Sequence, residues 1–224
     1  MAIAALIDKQ DSFEIVRDQI AAILAIETAS QQALAVAGGK DPNLWKFDVY
    51  TERSQPWEKW LNDQSDLTPI VNVGFQDANF NERASDQFTR QQATGTFHID
   101  CYGVGISQSD GGTGHIPGDR AATVEAHRIL RLIRNIIKAE DYAYLGLMGN
   151  VSKVWISRTE VFTPLGDGTD NVLKVVPSRL VLEVTYNEFS PQVVGETLEY
   201  LSATVKRSED GSVIATADYD YTAP

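Results

Sequence analysis

The clearest pattern of apolar and polar positions lies between Gly118 and Glu140. Apolar residues recur there at the helical period and form one stripe, which consists of Ala122, Ala126, Ile129, Leu130, Ile133, Ile136 and Ile137. The opposite side is basic and contains Arg120, His127, Arg131, Arg134 and Lys138, with Arg128 at its edge. The pattern predicts an amphipathic helix over residues 119–139, with Asp119 as its N-cap, whose apolar stripe lies on a sheet.

A second helix is predicted near the N-terminus. Asp11 and Glu14 have the spacing of a capping box, and Gly38 and Gly39 provide a helix end, so the helix covers residues 11–36. Its apolar residues form two stripes. The first contains Phe13, Val16, Ile20, Ile23, Leu24 and Leu34, and the second contains Ile15, Ala22, Ile26, Ala29 and Ala33. A surface helix needs one stripe only, so either another part of the chain or a neighbouring subunit is expected to cover the second.

Strands are predicted where apolar and polar residues alternate. The alternating segments are residues 45–51, 67–75, 94–106, 151–163 and 171–188. The last two flank turn residues at 166–168 and are expected to pair as a hairpin. Residues 76–93 are polar and lack a pattern, which predicts a long loop or an excursion of the chain. Together these elements predict an α+β fold, in which a mostly antiparallel sheet carries both long helices on one face.

Residues 192–224 are expected to form a separate arm that follows a domain of residues 1–191. Two alternating segments, 198–207 and 212–221, flank a turn, which is the pattern of a β-hairpin. An isolated hairpin is marginally stable in water. The arm is therefore expected to dock on another protein chain, and its candidate docking residues are Leu198, Tyr200, Val205, Val213, Tyr219 and Tyr221.

The charge of the chain is distributed unevenly. The net charge of the 224 residues is −12, whereas the segment from Arg120 to Lys138 holds five basic residues and one acidic residue. This segment is therefore +4, and the rest of the chain sums to −16. Such a balance argues against a free nucleic-acid binder, but it does not exclude a protein that DNA passes without binding. No uninterrupted apolar run reaches the roughly 20 residues of a membrane span.

No arrangement of residues in the sequence indicates catalysis, a cofactor or a metal. The glycine-rich segment 108–118 lacks the third glycine of a dinucleotide fingerprint and the Lys-Ser/Thr of a P-loop. His98, His115 and His127 have no second ligand at metal-binding spacing. Cys101, the single cysteine, excludes an internal disulfide, fits a reducing cytosol and is expected to be a buried, inert thiol. The protein is therefore not expected to be an enzyme.

Four segments, in this order, carry a resemblance to a known family. They are a long strand that enters a loop (94–105), the basic amphipathic helix (119–134), the strand segment 154–158, and a last core strand closed by proline (180–191). Over residues 11–191 the chain resembles the tail terminator, or tail completion, proteins of long-tailed phages. The hairpin after Pro191 extends beyond the smaller members of that family.

The resemblance implies a virion structural protein that is assembled in the host cytoplasm and located at the neck of the phage tail. Such a protein forms a ring, expected to be a hexamer, which caps the head-proximal end of the tail tube, stops its polymerisation and offers a docking surface to the neck. The implied partners are further copies of the chain, the tail tube protein, a neck or connector protein and, in contractile tails, the sheath protein. DNA would pass through an acidic bore without specific binding. No membrane contact is implied.

Two other functions remain open at this point. One is a head–tail connector or stopper ring of the neck, and the other is a small-molecule hydrolase or ligand-binding α+β domain. For a ring, Arg128, Arg131, Arg134 and Lys138 are predicted to meet acidic residues of the next copy, while Ile15 and Ile26 supply apolar subunit contacts. The alternative is that the basic helix face is only solvated.

Overall fold

The computed structural model describes residues 9–62, 65–81, 90–107, 117–163 and 173–189, together with the backbone of 200–206 and 213–220. The helices are α1 (Ser12–Ala37), α2 (Glu58–Asn62) and α3 (Gly118–Ile137), and 3-10 turns cover Pro42–Trp45 and Glu140–Tyr142. The strands are β1 (Asp48–Thr51), β2 (Ile70–Phe80), β3 (Arg90–Ile106), β4 (Val151–Val161), β5 (Leu173–Phe189), β6 (Tyr200–Lys206) and β7 (Val213–Asp220). The chain divides into two compact units, the larger holding α1 to β5 and the smaller holding β6 and β7.

The larger unit is built on a five-stranded sheet with the order β1-β2-β3-β5-β4. Only the short β1 runs parallel to its neighbour, whereas β2–β3, β3–β5 and β4–β5 are antiparallel pairs. Side chains of both long helices pack against the same face of this sheet in one apolar core. The predicted α+β class, with a mostly antiparallel sheet and two helices on one face, is confirmed.

The core between helices and sheet follows from two different periodicities. In β3 and β5, every second residue points to the helix-covered face, so Phe97, Ile99, Leu180 and Leu182 are fully buried there. The helices meet these strands with residues spaced three or four apart. They include Val16, Ile20 and Leu24 of α1 and Ile129 and Ile133 of α3, all fully buried.

α3 approaches β3 closely because two glycines remove side chains from the contact. A Cβ atom added to Gly103 would lie 2.2 Å from the carbonyl oxygen of Ala122 and 2.4 Å from the backbone nitrogen of Ala126. A Cβ atom added to Gly105 would lie 2.3 Å from the carbonyl oxygen of Gly118. Small residues therefore line both sides of the contact, and the helix backbone rests almost directly on the strand.

The opposite face of the sheet is covered at one end by α2. Trp60 is fully buried there against Ile70, Tyr102 and Val104, and its indole N–H donates to the carbonyl oxygen of Thr68 at 3.1 Å. Burial of so large a side chain with its one donor satisfied anchors the short helix on the strands.

Two predictions of local structure are wrong. Residues 76–93 are not one long loop, because β2 continues to Phe80 and β3 begins at Arg90; a bulge between Phe75 and Asp77 shifts the register, and backbone pairing holds these polar residues in strands. Residues 82–89 of that segment lie outside the described residues. Asp119 is not the N-cap of α3, because Pro117 takes that position and the backbone N–H of Gly118 donates to the Ser107 hydroxyl at 3.0 Å.

The second apolar stripe of α1 is exposed. The Ile26 side chain is 61% exposed and Ile15 is 36% exposed, so the described part of the chain does not cover it. By length and composition α1 also meets the criterion for a membrane-spanning helix, although core helices of soluble proteins meet it too. At its start, Glu14 accepts a hydrogen bond from the Asp11 backbone N–H at 2.9 Å, the expected contact of a capping box.

Ile133→Ala should lower the free energy of unfolding by about 2–5 kcal/mol, because it removes a fully buried side chain from the main core. Ile26→Ala is the matched control, since Ile26 lies on the exposed stripe and should change stability by less than about 0.5 kcal/mol. Urea denaturation of both variants measures the difference. Equal losses would show that Ile133 is not a core residue.

Gly103→Ala should destabilise the protein by at least about 1–3 kcal/mol, because the added methyl group would overlap the backbone of α3. Gly74→Ala, in the neighbouring strand, provides the comparison, since a Cβ atom there would lie 3.5 Å from its nearest contact, the Glu52 carboxylate. Thermal unfolding followed by circular dichroism separates them. A tolerated Gly103→Ala would argue against the close approach of α3.

Candidate interaction surface

β4 forms one edge of the sheet. It pairs with β5 on one side, and within the described residues no strand pairs with its other side. The ladder with β5 is interrupted by irregularities between Val151 and Lys153 and between Ile156 and Arg158. Bulges and an edge lysine are common devices that discourage pairing along a whole strand. A partner at this edge is therefore expected to bind through side chains rather than by extending the ladder throughout.

A groove with a volume of about 650 Å³ lies between β4 and the C-terminal end of α3. Its apolar lining consists of Ile137, Ala139, Ala143, Val154, Trp155 and Ile156. Its charged lining consists of Arg134, Lys138 and Arg158, against one acidic residue, Glu140. We call this feature the α3–β4 groove. Apolar walls combined with an excess of positive charge suit an amphipathic, acidic segment.

The cations of α3 differ in what they contact. Arg131, Arg134 and Lys138 are exposed, and none of them forms an ion pair with another described residue. Arg128 is mostly buried: its guanidinium donates to the Glu125 carboxylate at 2.6 and 3.0 Å and also to the carbonyl oxygen of Leu44. Arg128 therefore ties α3 to the turn before β1. Arg131, Arg134 and Lys138 are left open to a partner, and so is Arg120 near the start of the helix, which is exposed and forms no ion pair with another described residue.

Exposed aromatic side chains accompany the β4 edge. Trp155 is 58% exposed, with the Lys153 ammonium 5.7 Å from its ring. Phe162 is 40% exposed, with the Arg179 guanidinium 5.5 Å from its ring. Tryptophan and arginine are frequent anchors of protein interfaces. Sequence reasoning did not single out these residues, because alternation predicts a strand but does not reveal that the strand lies at an edge.

The other flank of the sheet is different in character. A shallow depression of about 410 Å³ beside the edge strand β1 is lined by Ala21, Ala22, Ala25, Val49, Tyr50, Thr51 and Arg53. Ile15 and Ile26 lie on α1, which packs over the β1–β2 half of the sheet, whereas the α3–β4 groove lies at the opposite edge. The structure therefore does not bring the predicted apolar and basic interface residues into one patch.

The polar groups on the outer sheet face are arranged as a structural network. Arg179 and Asp100 form a bidentate ion pair at 2.6 and 2.9 Å. Beside this pair, burial and the charge of Arg179 lower the pKa of His98, whose buried Nε2 has no hydrogen-bond partner among the described residues. A neutral imidazole is the form that this environment favours.

No candidate metal centre occurs within the described residues. Their histidine, cysteine and carboxylate side chains form no group of three that could hold a metal ion. Cys101 is fully buried, and burial raises the pKa of its thiol, which matches the expected inert side chain. His127 is exposed, and His115 lies outside the described residues.

The predicted docking arm appears as an antiparallel hairpin. β6 and β7 pair from Tyr200 opposite Asp220 to Lys206 opposite Val213. Of the candidate docking residues, Tyr200, Val205, Val213 and Tyr219 belong to these strands, while Leu198 and Tyr221 lie outside the described residues. Described by itself, this unit has two strands and two open edges.

Comparisons with known proteins assign no family to this chain. No protein-family model matches the sequence, and no curated protein matches it significantly.

Arg128→Ala should lower the free energy of unfolding by about 1 kcal/mol, because it removes charge-assisted hydrogen bonds to Glu125 and to the Leu44 carbonyl. Arg131→Ala, on the same helix but exposed and without an ion pair in the described chain, should change stability by less than about 0.5 kcal/mol. Chemical denaturation tests the contrast. A larger loss of stability for Arg131→Ala than for Arg128→Ala would mean that Arg131, and not Arg128, makes the stabilising contacts within the fold.

Proposed function

We propose that this protein is a ring-forming tail terminator of a long-tailed phage, a virion structural protein without enzymatic activity. The observation that carries the proposal is the exposed cationic side of α3 on a chain whose net charge is −12. Arg131 and Arg134, which form no ion pair with another described residue, and the apolar groove that Arg134 borders suit a surface that an acidic partner covers. The order of elements along the chain resembles that of tail terminators, and this resemblance is why we propose the phage tail as the assembly.

The two flanks of the sheet support a head-to-tail contact. The β4 flank carries the basic α3–β4 groove, and the α1–β1 flank carries mostly small and apolar residues together with Arg53. Contacts between unlike surfaces of identical subunits are heterologous, and they close into rings when the rotation between subunits allows it. A ring of this kind, expected to be a hexamer, would sit on the head-proximal end of the tail tube and present its other surface to the neck.

The acidic remainder of the chain fits a channel for DNA. A wall that repels phosphate groups does not hold moving DNA, whereas a basic wall would bind it and release counterions. The basic residues of α3 are then expected to lie between subunits rather than in the bore. A connector or stopper ring of the neck would use similar surfaces, so the binding partner has to distinguish the two functions.

The purified protein should form rings that cap tubes of its tail tube protein at one end and shorten them, as seen by negative-stain electron microscopy. Arg131→Glu/Arg134→Glu should abolish the rings, because like charges would replace attractive contacts between subunits. Lys9→Glu/Lys40→Glu, which changes the net charge equally at two exposed lysines, is the control. Native mass spectrometry measures the number of subunits in each case.

Two outcomes would contradict the proposal. A protein that stays monomeric at all concentrations is not a ring-forming component. A ring that leaves tubes uncapped but binds portal or neck proteins is a connector or stopper instead.

A further inference from the structure

The α3–β4 groove has the properties of a receptor for an acidic segment. Its apolar walls offer burial, and Arg134 and Lys138 project along one side without an ion pair in the described chain. Arg158, on the opposite wall, is 61% exposed and lies 3.3 Å from the Glu160 carboxylate. Because Glu140 is the single acidic residue among the described lining residues, the groove holds more cations than the described part of the chain neutralises.

The C-terminal arm is the acidic segment of this chain that matches the groove. Residues 192–224 contain two basic residues, Lys206 and Arg207, and six acidic residues, namely Glu196, Glu199, Glu209, Asp210, Asp218 and Asp220. The arm folds as a two-stranded hairpin. Two strands alone are marginally stable in water, so the hairpin gains stability from a surface on which it can dock.

We propose that the α3–β4 groove of one copy binds the acidic C-terminal hairpin of a second copy. This inference rests on the proposed self-assembly, and it specifies the two surfaces that meet. Apolar contacts supply most of the affinity, as in other interfaces, while the charges select the partner and fix its register. An arm and a groove of opposite charge also prevent two grooves, or two arms, from pairing with each other.

A charge exchange tests this arrangement with the full chain. The groove-reversed variant is Arg134→Glu/Lys138→Glu, and the arm-reversed variant is Asp218→Lys/Asp220→Lys. The first has an acidic groove and an acidic arm, and the second has a basic groove and a less acidic arm. A third variant combines all four substitutions and has the wild-type net charge of −12. Sedimentation velocity measures the association of each protein.

Each two-residue variant alone should associate at least about tenfold more weakly than the wild type. The groove-reversed variant sets an acidic groove against an acidic arm, and the arm-reversed variant sets a basic groove against an arm whose four acidic and four basic residues cancel. An equimolar mixture of the two should associate again, since the acidic arm of the first variant then meets the basic groove of the second. The four-residue variant should also recover association. The control Lys9→Glu/Lys40→Glu, which repeats the charge change of the groove-reversed variant at exposed sites away from the groove, should associate as the wild type does.

Three results would overturn the inference. The first is a mixture of the two variants that does not reassociate. The second is association of both two-residue variants at the wild-type level, and the third is a wild-type protein that stays monomeric. The assay contains no tail component, so failure to cap tail tubes leaves its outcome unchanged, and the two proposals can fail separately.

Discussion

The close contact between α3 and β3 determines which side chains of α3 face the core and which face solvent. Gly103 and Gly105 leave no side chain in the way, and Ala122 and Ala126 complete a contact made almost entirely by backbone. A helix seated so closely cannot rotate about its axis without a clash, because protein interiors are packed densely. Its isoleucines are thereby directed into the core, and its arginines are directed away from the sheet.

Because the rotation of α3 is fixed, the position of each basic residue on the helix decides whether it pairs within the fold or faces solvent. On the side toward the N-terminal part of the chain, Arg128 finds Glu125 and the Leu44 carbonyl and becomes part of the fold. On the side toward β4, Arg134 and Lys138 border a groove and meet no carboxylate that pairs with them in the described chain. One amphipathic helix thus contributes both an ion pair within the fold and exposed cations at the surface.

The sequence predicted the helices and strands that show a local apolar periodicity. It did not predict the strand order, which depends on pairing between distant segments. The stripe of α3, the first stripe of α1 and the alternation in β3 and β5 identified the elements and most of their buried residues. Leu34, which was expected in the first stripe of α1, is an exception, because its side chain is 64% exposed near the end of the helix. The strand order, which places β4 at an edge and creates the groove, leaves no trace in any single segment. Residues 76–80 and 90–93 were missed for the same reason, because a backbone ladder holds them rather than an apolar pattern. Likewise, no spacing rule distinguished Arg128, already paired within the fold, from Arg134.

An open basic groove on an acidic chain has a consequence for the form of assembly. Two identical basic grooves repel each other, so a symmetric contact that joins groove to groove is disfavoured. Two acidic surfaces repel each other in the same way, and only unlike surfaces attract. In the proposed assembly, association therefore joins the groove of one copy to an acidic element of another. Such a contact closes as a reciprocal dimer, closes as a ring when the rotation at each contact allows it, or continues as an open filament.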